Sequence, residues 1–403
     1  MIDRAALESP LRVAKASCER VDVPPNPDFP GITRPIIRLR PDDGARLVSV
    51  LRSQAELAMF DERHQVVGSM SRLVRLDQLA EWLISRAFSV GECEAIEDLA
   101  RYVENRTFPV IDVVVLVGIV PEHRVDLGGA MQLVPISEIP PSPQTDMMRG
   151  RRGLGLGGPD PSGGAALLYE IHSRAIHSDS ADFERLREDL WQQGQVRLAE
   201  MEDARLVLSA VGPCAPRTLI SWEVIPASVP LSDRAMSWAT PLPDAGGFSV
   251  QALYSRDLEV ARELFASFKR MAQKDRDRLR IALHRLNLSL RKVRPVDRAI
   301  DLGICLEALF LGDMGSGSGE LKFRMRVRAA RYLRSDPDGR QTAFDLVGKL
   351  YDLRSEAVHA GRLKDEGSAH TTELLKEGSD LAASALQRMI REGFPDWQKV
   401  IHA

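Results

Sequence analysis

The stretch Lys349-Leu350-Tyr351-Asp352-Leu353-Arg354-Ser355-Glu356-Ala357-Val358-His359-Ala360-Gly361 decides the reading of the C-terminal part of this chain. Leu346, Leu350, Leu353 and Ala357 recur at three- and four-residue steps, the pattern of a helix that buries one stripe. Gly361 supplies the stop signal. On a wheel with Tyr351 as origin, Arg354 lies about 60° to one side, and Ser355 and His359 about 40° and about 80° to the other. Four polar groups therefore share one broad face, away from the apolar stripe.

Arginine presents a permanently charged fork of donors that fits phosphate, and histidine can give or take a proton near neutral pH. Together they meet both needs of RNA transesterification. A base must take the ribose 2′-hydroxyl proton or an acid must protonate the leaving oxygen, and a cation must offset charge on the phosphorane. That scheme requires no metal. The same two residue types near a helix C-terminus can also do no more than interact with the last carbonyls and the dipole, and spacing alone does not separate the two readings.

Two further segments widen the pattern. Arg298-Ala299-Ile300-Asp301-Leu302-Gly303-Ile304-Cys305-Leu306-Glu307-Ala308-Leu309-Phe310 reads as an earlier helix with a Leu-Glu-Ala-Leu core. Leu321-Lys322-Phe323-Arg324-Met325-Arg326-Val327-Arg328-Ala329-Ala330-Arg331-Tyr332-Leu333 reads as an arginine-bearing middle helix. With these in order, Asp275 to Ala403 resembles a HEPN domain, most closely the ApeA-like branch found in prokaryotic defence proteins. Leu350 to Gly361 is similar to the family's R-x4-6-H motif with four intervening residues.

The resemblance implies a metal-independent endoribonuclease in which Arg354 and His359 are the motif pair. It also implies a homodimer whose two motif helices meet in a composite site, and products ending in a 2′,3′-cyclic phosphate and a 5′-hydroxyl. Tyr351, Ser355 and Glu307 would position the substrate or the catalytic pair. Many ribonuclease members carry Asn, Asp or His directly after the arginine; Ser355 in that place is a weaker polar helper. Other members of the fold bind RNA or nucleotides, or act as scaffolds, without cutting. By family analogy the N-terminal part would sense a phage-derived trigger or partner, in an antiviral or toxin-like role.

Glu307 lies among Ile300, Ile304, Leu306, Leu309 and Phe310, where a carboxylate is costly unless a cation pairs with it. Arg354 and Arg328 are both open as its partner.

The chain carries a net charge of −3, which argues against a protein that coats nucleic acid over its whole surface. The basic residues are unevenly spread. Lys269, Arg270, Lys274, Arg276, Arg278, Arg280, Arg285, Arg291, Lys292, Arg294 and Arg298 face only Asp275, Asp277 and Asp297 within their own stretch. Lys322, Arg324, Arg326, Arg328, Arg331 and Arg334 have no acid between them, and such an excess would draw a phosphate backbone. Arg324, Arg328 and Arg331 are the expected RNA-binding residues. Only Phe323 and Tyr332 are close by, so base stacking is not indicated.

At 403 residues and 44% hydrophobic composition the chain can bury large cores, and its length suggests two or three domains. Cys18, Cys93, Cys214 and Cys305 lie far apart without a C-x-x-C pair, so neither a zinc site nor a disulfide framework is expected. No cofactor is expected either. The N-terminus lacks a basic-then-apolar leader pattern. The longest apolar run, Val110 to Val120, is interrupted by Asp112 and is too short to span a bilayer. A cytoplasmic protein is the expectation.

The fold class expected is α+β, with a mixed module over 1–253 and a HEPN-type helical bundle over 254–403. In the first part Gly44 to Met59 and Leu76 to Val103 read as helices, Val110 to Val117 as a buried strand, and His123 to Val134 as a hairpin around Gly128-Gly129. Leu167 to Ile176 and Asp182 to Ala199 read as helices, and Ala204 to Val211 and Thr218 to Ile225 as strands. Pro140 to Gly164 shifts to Pro, Gly and Ser and reads as a linker or long loop. Its Gly153 to Gly158 cluster precedes Pro159 and Pro161 rather than a helix, which disfavours a phosphate loop. His172 and His177, five apart, are assigned no role. The second part reads as helices over Arg256 to Gln273, Asp275 to Leu290, Pro295 to Leu311, Glu320 to Leu333, Gln341 to Ala360 and Ser368 to Arg391.

Overall fold

The computed structural model describes residues 1–23, 34–38, 41–146, 148, 163–232, 250–313 and 320–402. Most of the Pro140 to Gly164 segment, its glycine cluster included, lies outside the described residues, as do residues 314–319. The chain begins with α1 (Arg4–Ser17), the antiparallel pair β1 (Glu19–Val23) and β2 (Arg34–Arg38), and α2 (Pro41–Ser53). The hairpin β3 (Arg63–Val67) and β4 (Met70–Val74) follows, then α3 (Leu76–Val90) and α4 (Glu92–Glu104). Next come β5 (Thr107–Val117), β6 (Ile119–Pro121), β7 (Val125–Gly128), β8 (Met131–Pro135), β9 (Ala165–Arg174) and β10 (Ile176–Ser178). The long helix α5 (Ser180–Leu208) leads to β11 (Arg217–Val224) and the short β12 (Gln251–Leu253).

After Leu253 the described residues form helices alone: α6 (Ser255–Arg270), α7 (Gln273–Arg291), α8 (Pro295–Phe310), α9 (Leu321–Leu333), α10 (Pro337–Ala360), α11 (Ala369–Glu392) and α12 (Trp397–His402). The fold is α+β. No helix among the described residues is long and apolar enough to cross a membrane.

The main sheet has the order β11-β5-β9-β8-β7, antiparallel throughout. Its central strands are covered on both faces. Val113, Val115, Ala166, Leu168, Ile220 and Trp222 fill one core, while Val114, Leu116, Ala165 and Leu167 enter the core built by α6 to α11. Leu253 and Leu258 lie in that same helical core, so packing is not partitioned where the strands give way to helices. The N-terminal helices form another core with Phe108 and Val110 at the start of β5.

Four departures from the sequence reading have physical causes. Leu167 to Ile176 is largely strand β9, not helix: with both faces buried, the Ala165–Leu168 run has no alternation to mark it as a strand. Ala204 to Val211 is the end of α5 and the turn after it, not a strand. That segment is buried on nearly every side, which erases its helical period. It even buries Arg205, whose guanidinium donates to the Pro216 carbonyl at 2.6 Å and to Asn287 Oδ1 at 3.3 Å. The helix expected over Leu76 to Val103 is two helices broken at Gly91, whose φ of 92° favours glycine. The β3–β4 hairpin, short and charged, was not expected at all.

The C-terminal end of α8 is closed by two arginines from other helices. Arg278 donates to the carbonyls of Ala308 and Leu309 at 3.1 and 3.2 Å, and Arg328 to that of Phe310 at 2.6 Å. Their guanidinium planes lie over the rings of Phe394 and Trp397, at 4.0 and 4.9 Å from the centroids. Orphan helix carbonyls are thereby satisfied and the cations sheltered by aromatic faces.

A chain of hydrogen bonds fixes His177 in the N-terminal part. Its Nδ1 faces the Met59 carbonyl at 2.8 Å, which can only accept, so Nδ1 carries the proton and Nε2 accepts from Tyr102 Oη at 2.8 Å. Tyr102 in turn accepts from Gln65, and Gln65 from Arg72. Burial holds the His177 imidazole down to about 4 from its ordinary 6.5 and pushes the Tyr102 phenol up to about 12.

A folded-state value below the unfolded one means stability that is present above pH 6.5 and lost as pH falls toward 4. Urea unfolding at pH 7 and 4.5 should therefore show His177→Gln less acid-sensitive than the parent by about 2–3 kcal/mol. Equal acid losses would exclude this histidine as their source.

Candidate functional site

The helix α10 is defined at both ends. Asp336 caps its N-terminus by accepting from Gly339 N at 2.6 Å, Pro337 occupies the first turn, and Gly361 closes it with φ 64°. Glu356 Oε1 accepts from Lys364 N at 2.6 Å and ties down the turn that follows. Val347, Leu350 and Ala357 face the core shared with α8 and α11.

Two glycines let α10 come close to its neighbours. Leu350 lies against Gly378 of α11, and the stem of Arg354 lies across Gly303 of α8. A Cβ at Gly303 would overlap the Arg354 Cγ and lie 2.9 Å from its Cβ. The arginine stem is therefore clamped by backbone rather than by another side chain.

The guanidinium of Arg354 then meets Glu307. Its Nη2 lies 3.5 Å from Glu307 Oε1, and both side chains are partly exposed, at 27% and 31%. A pair at that distance and exposure contributes at most about 1 kcal/mol. Arg354 Nε is buried and has no hydrogen-bond partner. The head group is thus held in place with donor capacity left over, a state that an incoming anion would relieve.

Of the two partners open to Glu307 in the sequence, the structure selects Arg354. Arg328 instead pairs with Asp313, Nη1 to Oδ1 at 2.6 Å and Nη2 to Oδ2 at 3.2 Å, besides closing α8. It is 6% exposed. Its expected RNA contact is therefore corrected to a structural role, because a buried guanidinium whose two terminal nitrogens are taken by a carboxylate and a carbonyl cannot reach a phosphate. Arg324 is exposed and Arg331 half-buried on the same helix α9.

His359 is exposed on the last turn of α10 and makes no hydrogen bond or ion pair among the described residues. Tyr351 is half-buried against the helical core, and Ser355, directly after Arg354, is half-buried too. Five residues of helix separate Arg354 from His359 by roughly 7.5 Å along the axis and roughly 140° around it. One chain therefore brings Arg354 together with Glu307 and leaves the imidazole apart from them.

The long basic run also looks different once folded. Lys269 pairs with Glu200 at 3.0 Å, Arg280 with Asp203 at 2.6 Å, and Arg285 with Asp301 at 2.8 Å. These acids come from outside the stretch that the charge pattern covered. On α9, Lys322 is tied to Asp352 of α10, and Arg326 to Asp345 at 3.1 Å. The positive surface is consequently smaller than the sequence suggests. Arg298 keeps its cation without a carboxylate partner among the described residues, and burial pushes its pKa down.

One polar cluster escaped the sequence reading. Asp112 of β5, Glu223 of β11 and Arg197 of α5 meet in the interior. The only signal was Asp112 itself, an acid inside a β-branched strand. No group of three or more His, Cys, Asp or Glu residues among the described ones could hold a metal ion. No family model, curated protein or solved structure matches this chain.

The Gly303–Arg354 contact makes a measurable coupling. Gly303→Ala should cost about 1–3 kcal/mol in urea unfolding because it overpacks the arginine stem. In an Arg354→Ala background the same change should cost less than about 1 kcal/mol, helped by alanine's better helix propensity. Additive effects would show that the stem does not set the approach of α10 to α8.

Proposed function

We propose that this chain is a HEPN-like, metal-independent endoribonuclease that works as a homodimer. The observation that carries the reading is Arg354: its stem is clamped on Gly303 and its guanidinium is only loosely paired with Glu307, with an unsatisfied buried Nε and a partly exposed head. The buried Nε of Arg328 is unpartnered as well, so the contrast lies in the terminal nitrogens: those of Arg328 and Arg205 make short bonds to carbonyls and carboxylates, whereas Arg354 has, among the described residues, only the 3.5 Å approach to Glu307. The exposed His359 on the same helix supplies the proton-transfer group.

In this reading the ribose 2′-oxygen attacks phosphorus as His359, or its counterpart in the second copy, takes the 2′-hydroxyl proton. The P–O5′ bond breaks and the departing 5′-oxygen takes a proton from water or from the other copy's protonated histidine, leaving a 2′,3′-cyclic phosphate and a 5′-hydroxyl. Arg354 offsets the charge on the phosphorane. A second copy enters because one chain separates imidazole from guanidinium, and two motif helices side by side would offer each phosphate an arginine from one and a histidine from the other. Glu307 and Tyr351 keep Arg354 and the helix in place, with Ser355 as the polar neighbour. Arg324 and Arg331 are the cations left to hold the RNA backbone. By analogy alone, the N-terminal part would receive the infection signal, in prokaryotic defence.

Purified protein incubated with total RNA in the presence of a chelator should yield 5′-hydroxyl ends. Arg354→Ala and His359→Ala should each lower cleavage by about 100-fold or more while helix content is retained. Cleavage that survives both changes would sink the assignment. RNA binding without cleavage by the parent would favour a non-catalytic binding module, and no affinity at low salt would favour a scaffold.

A further inference from the structure

On one face of the main sheet, three successive rows cross β5 and β9. Val110 beside Ile171 belongs with the N-terminal core, and Val114 beside Leu167 with the helical core. Between them lies a polar row, Asp112 flanked by Tyr169 on β9 and Glu223 on β11. The two cores thus adjoin along a line of ionisable groups.

Every element packed on this line contributes. Arg197 of α5 donates from Nε to Asp112 Oδ2 at 2.5 Å and reaches Glu223 Oε1 from Nη2 at 3.4 Å. The turn between β3 and β4 closes over the cluster, with Ser69 N donating to both Glu223 oxygens at 3.0 Å. Gly68 takes φ 58° there, and a Cβ on it would lie 2.8 Å from Glu223 Oε2. Its own N–H donates to Ser173 Oγ of β9 at 3.3 Å. Gly194 of α5 faces Ser69, and Tyr169 interacts with Glu200, which pairs with Lys269 of α6.

The side chains of Asp112 and Glu223 are both 8% exposed and share one guanidinium, which is itself 11% exposed. Two buried carboxylates with a single cation leave an uncompensated negative charge where water cannot screen it. A proton is the smallest group that can remove it. The turn that covers Glu223 is a loop stapled mainly through that carboxylate, while α5 carries Arg197 from the cluster into the helical core, where Met201 and Ala204 are buried.

We propose that the Asp112–Arg197–Glu223 cluster is a proton-operated latch: with a proton on Glu223 the β3–β4 turn is held shut on the sheet, and losing it loosens the turn and the join between the two cores. This inference is independent of the RNA reading. Burial and the neighbouring Asp112 carboxylate hold the Glu223 carboxyl up to about 7, against 4.5 when solvated, and outweigh the Ser69 hydrogen bonds and the Arg197 charge, which favour the ionised form. A closed-state value raised above the open-state value stabilises closure below pH 4.5, and that stabilisation is lost as pH rises through 7.

Hydrogen exchange of the full chain from pH 5.5 to 8.5, corrected for the intrinsic rate, reads the latch directly. Protection of the β3–β4 turn should fall by at least about tenfold over that range in the parent. In Glu223→Gln that fall should be largely lost, with α7 and α8 unaffected in both proteins. His64 on the same hairpin, stacked on Phe183, is unchanged by the substitution, so anything it contributes is common to parent and variant and drops out of the comparison. A pH-independent turn in the parent, or the same fall in Glu223→Gln, overturns the proposal. Carbon-13 NMR of labelled glutamate keeps it testable if that variant does not fold. One carboxyl titrating near 7, and moving down in Asp112→Asn, supports the latch; only ordinary carboxylates overturn it.

Discussion

Burial of β5 and β9 on both faces is the constraint on which the rest of the molecule depends. A strand covered on two sides needs a layer against each, and here one of those layers is the helical part itself. Val114, Leu116 and Leu167 are as much part of the bundle's core as Leu283 or Leu306. The helices that carry Arg354 are therefore seated on the sheet, not tethered beside it. Within the bundle, α8 is the element around which α7, α10 and α11 pack, and its two termini are treated very differently. Proline begins it, and guanidinium groups from α7 and α9 end it.

Arginine does two kinds of work in this protein, distinguished by what its donors meet. Arg205, Arg278 and Arg328 use the planar fork to fill carbonyls and carboxylates at close range, the arrangement for which guanidinium is better suited than ammonium. Arg354 has its stem fixed by glycine backbone and its head only loosely engaged. That contrast is what sets it apart as a candidate for binding something else, and it rests on geometry that no composition or charge count contains.

Much of the C-terminal architecture could be read directly, because its helices are amphipathic and punctuated. Gly361 closes α10 and Pro295 opens α8 as expected, whereas α10 starts at Pro337, four residues before the expected Gln341, because Asp336 caps a helix there. The pairing of Glu307 with a cation was legible too, since a carboxylate on an otherwise apolar helix needs one. Where burial is complete the signal fails: the Ala165–Leu168 half of β9 and the last turns of α5 are buried on nearly all sides, so neither the period of two nor that of 3.6 survives there. Charge bookkeeping failed for a different reason. The partners of Lys269, Arg280 and Arg285 are Glu200, Asp203 and Asp301, and for the first two the acid sits on α5, far back along the chain. Nor could local sequence show that Asp112 would lie beside Glu223, because their adjacency is created only by strand register.

The order in which β5 finds its neighbours also matters before folding is complete. As the polypeptide leaves the ribosome, Val113-Val114-Val115-Leu116-Val117 emerges ahead of β9 and β11, the two segments that pair with it. Until Ala165–Arg174 and then Arg217–Val224 are made, this β-branched run has both ladder edges open and nothing over either face. Asp112 and the proline at Pro109 stand at its upstream end as gatekeepers against association with other nascent chains. The acid that sits so awkwardly in the finished interior is thus well placed to protect the chain while it is still being built.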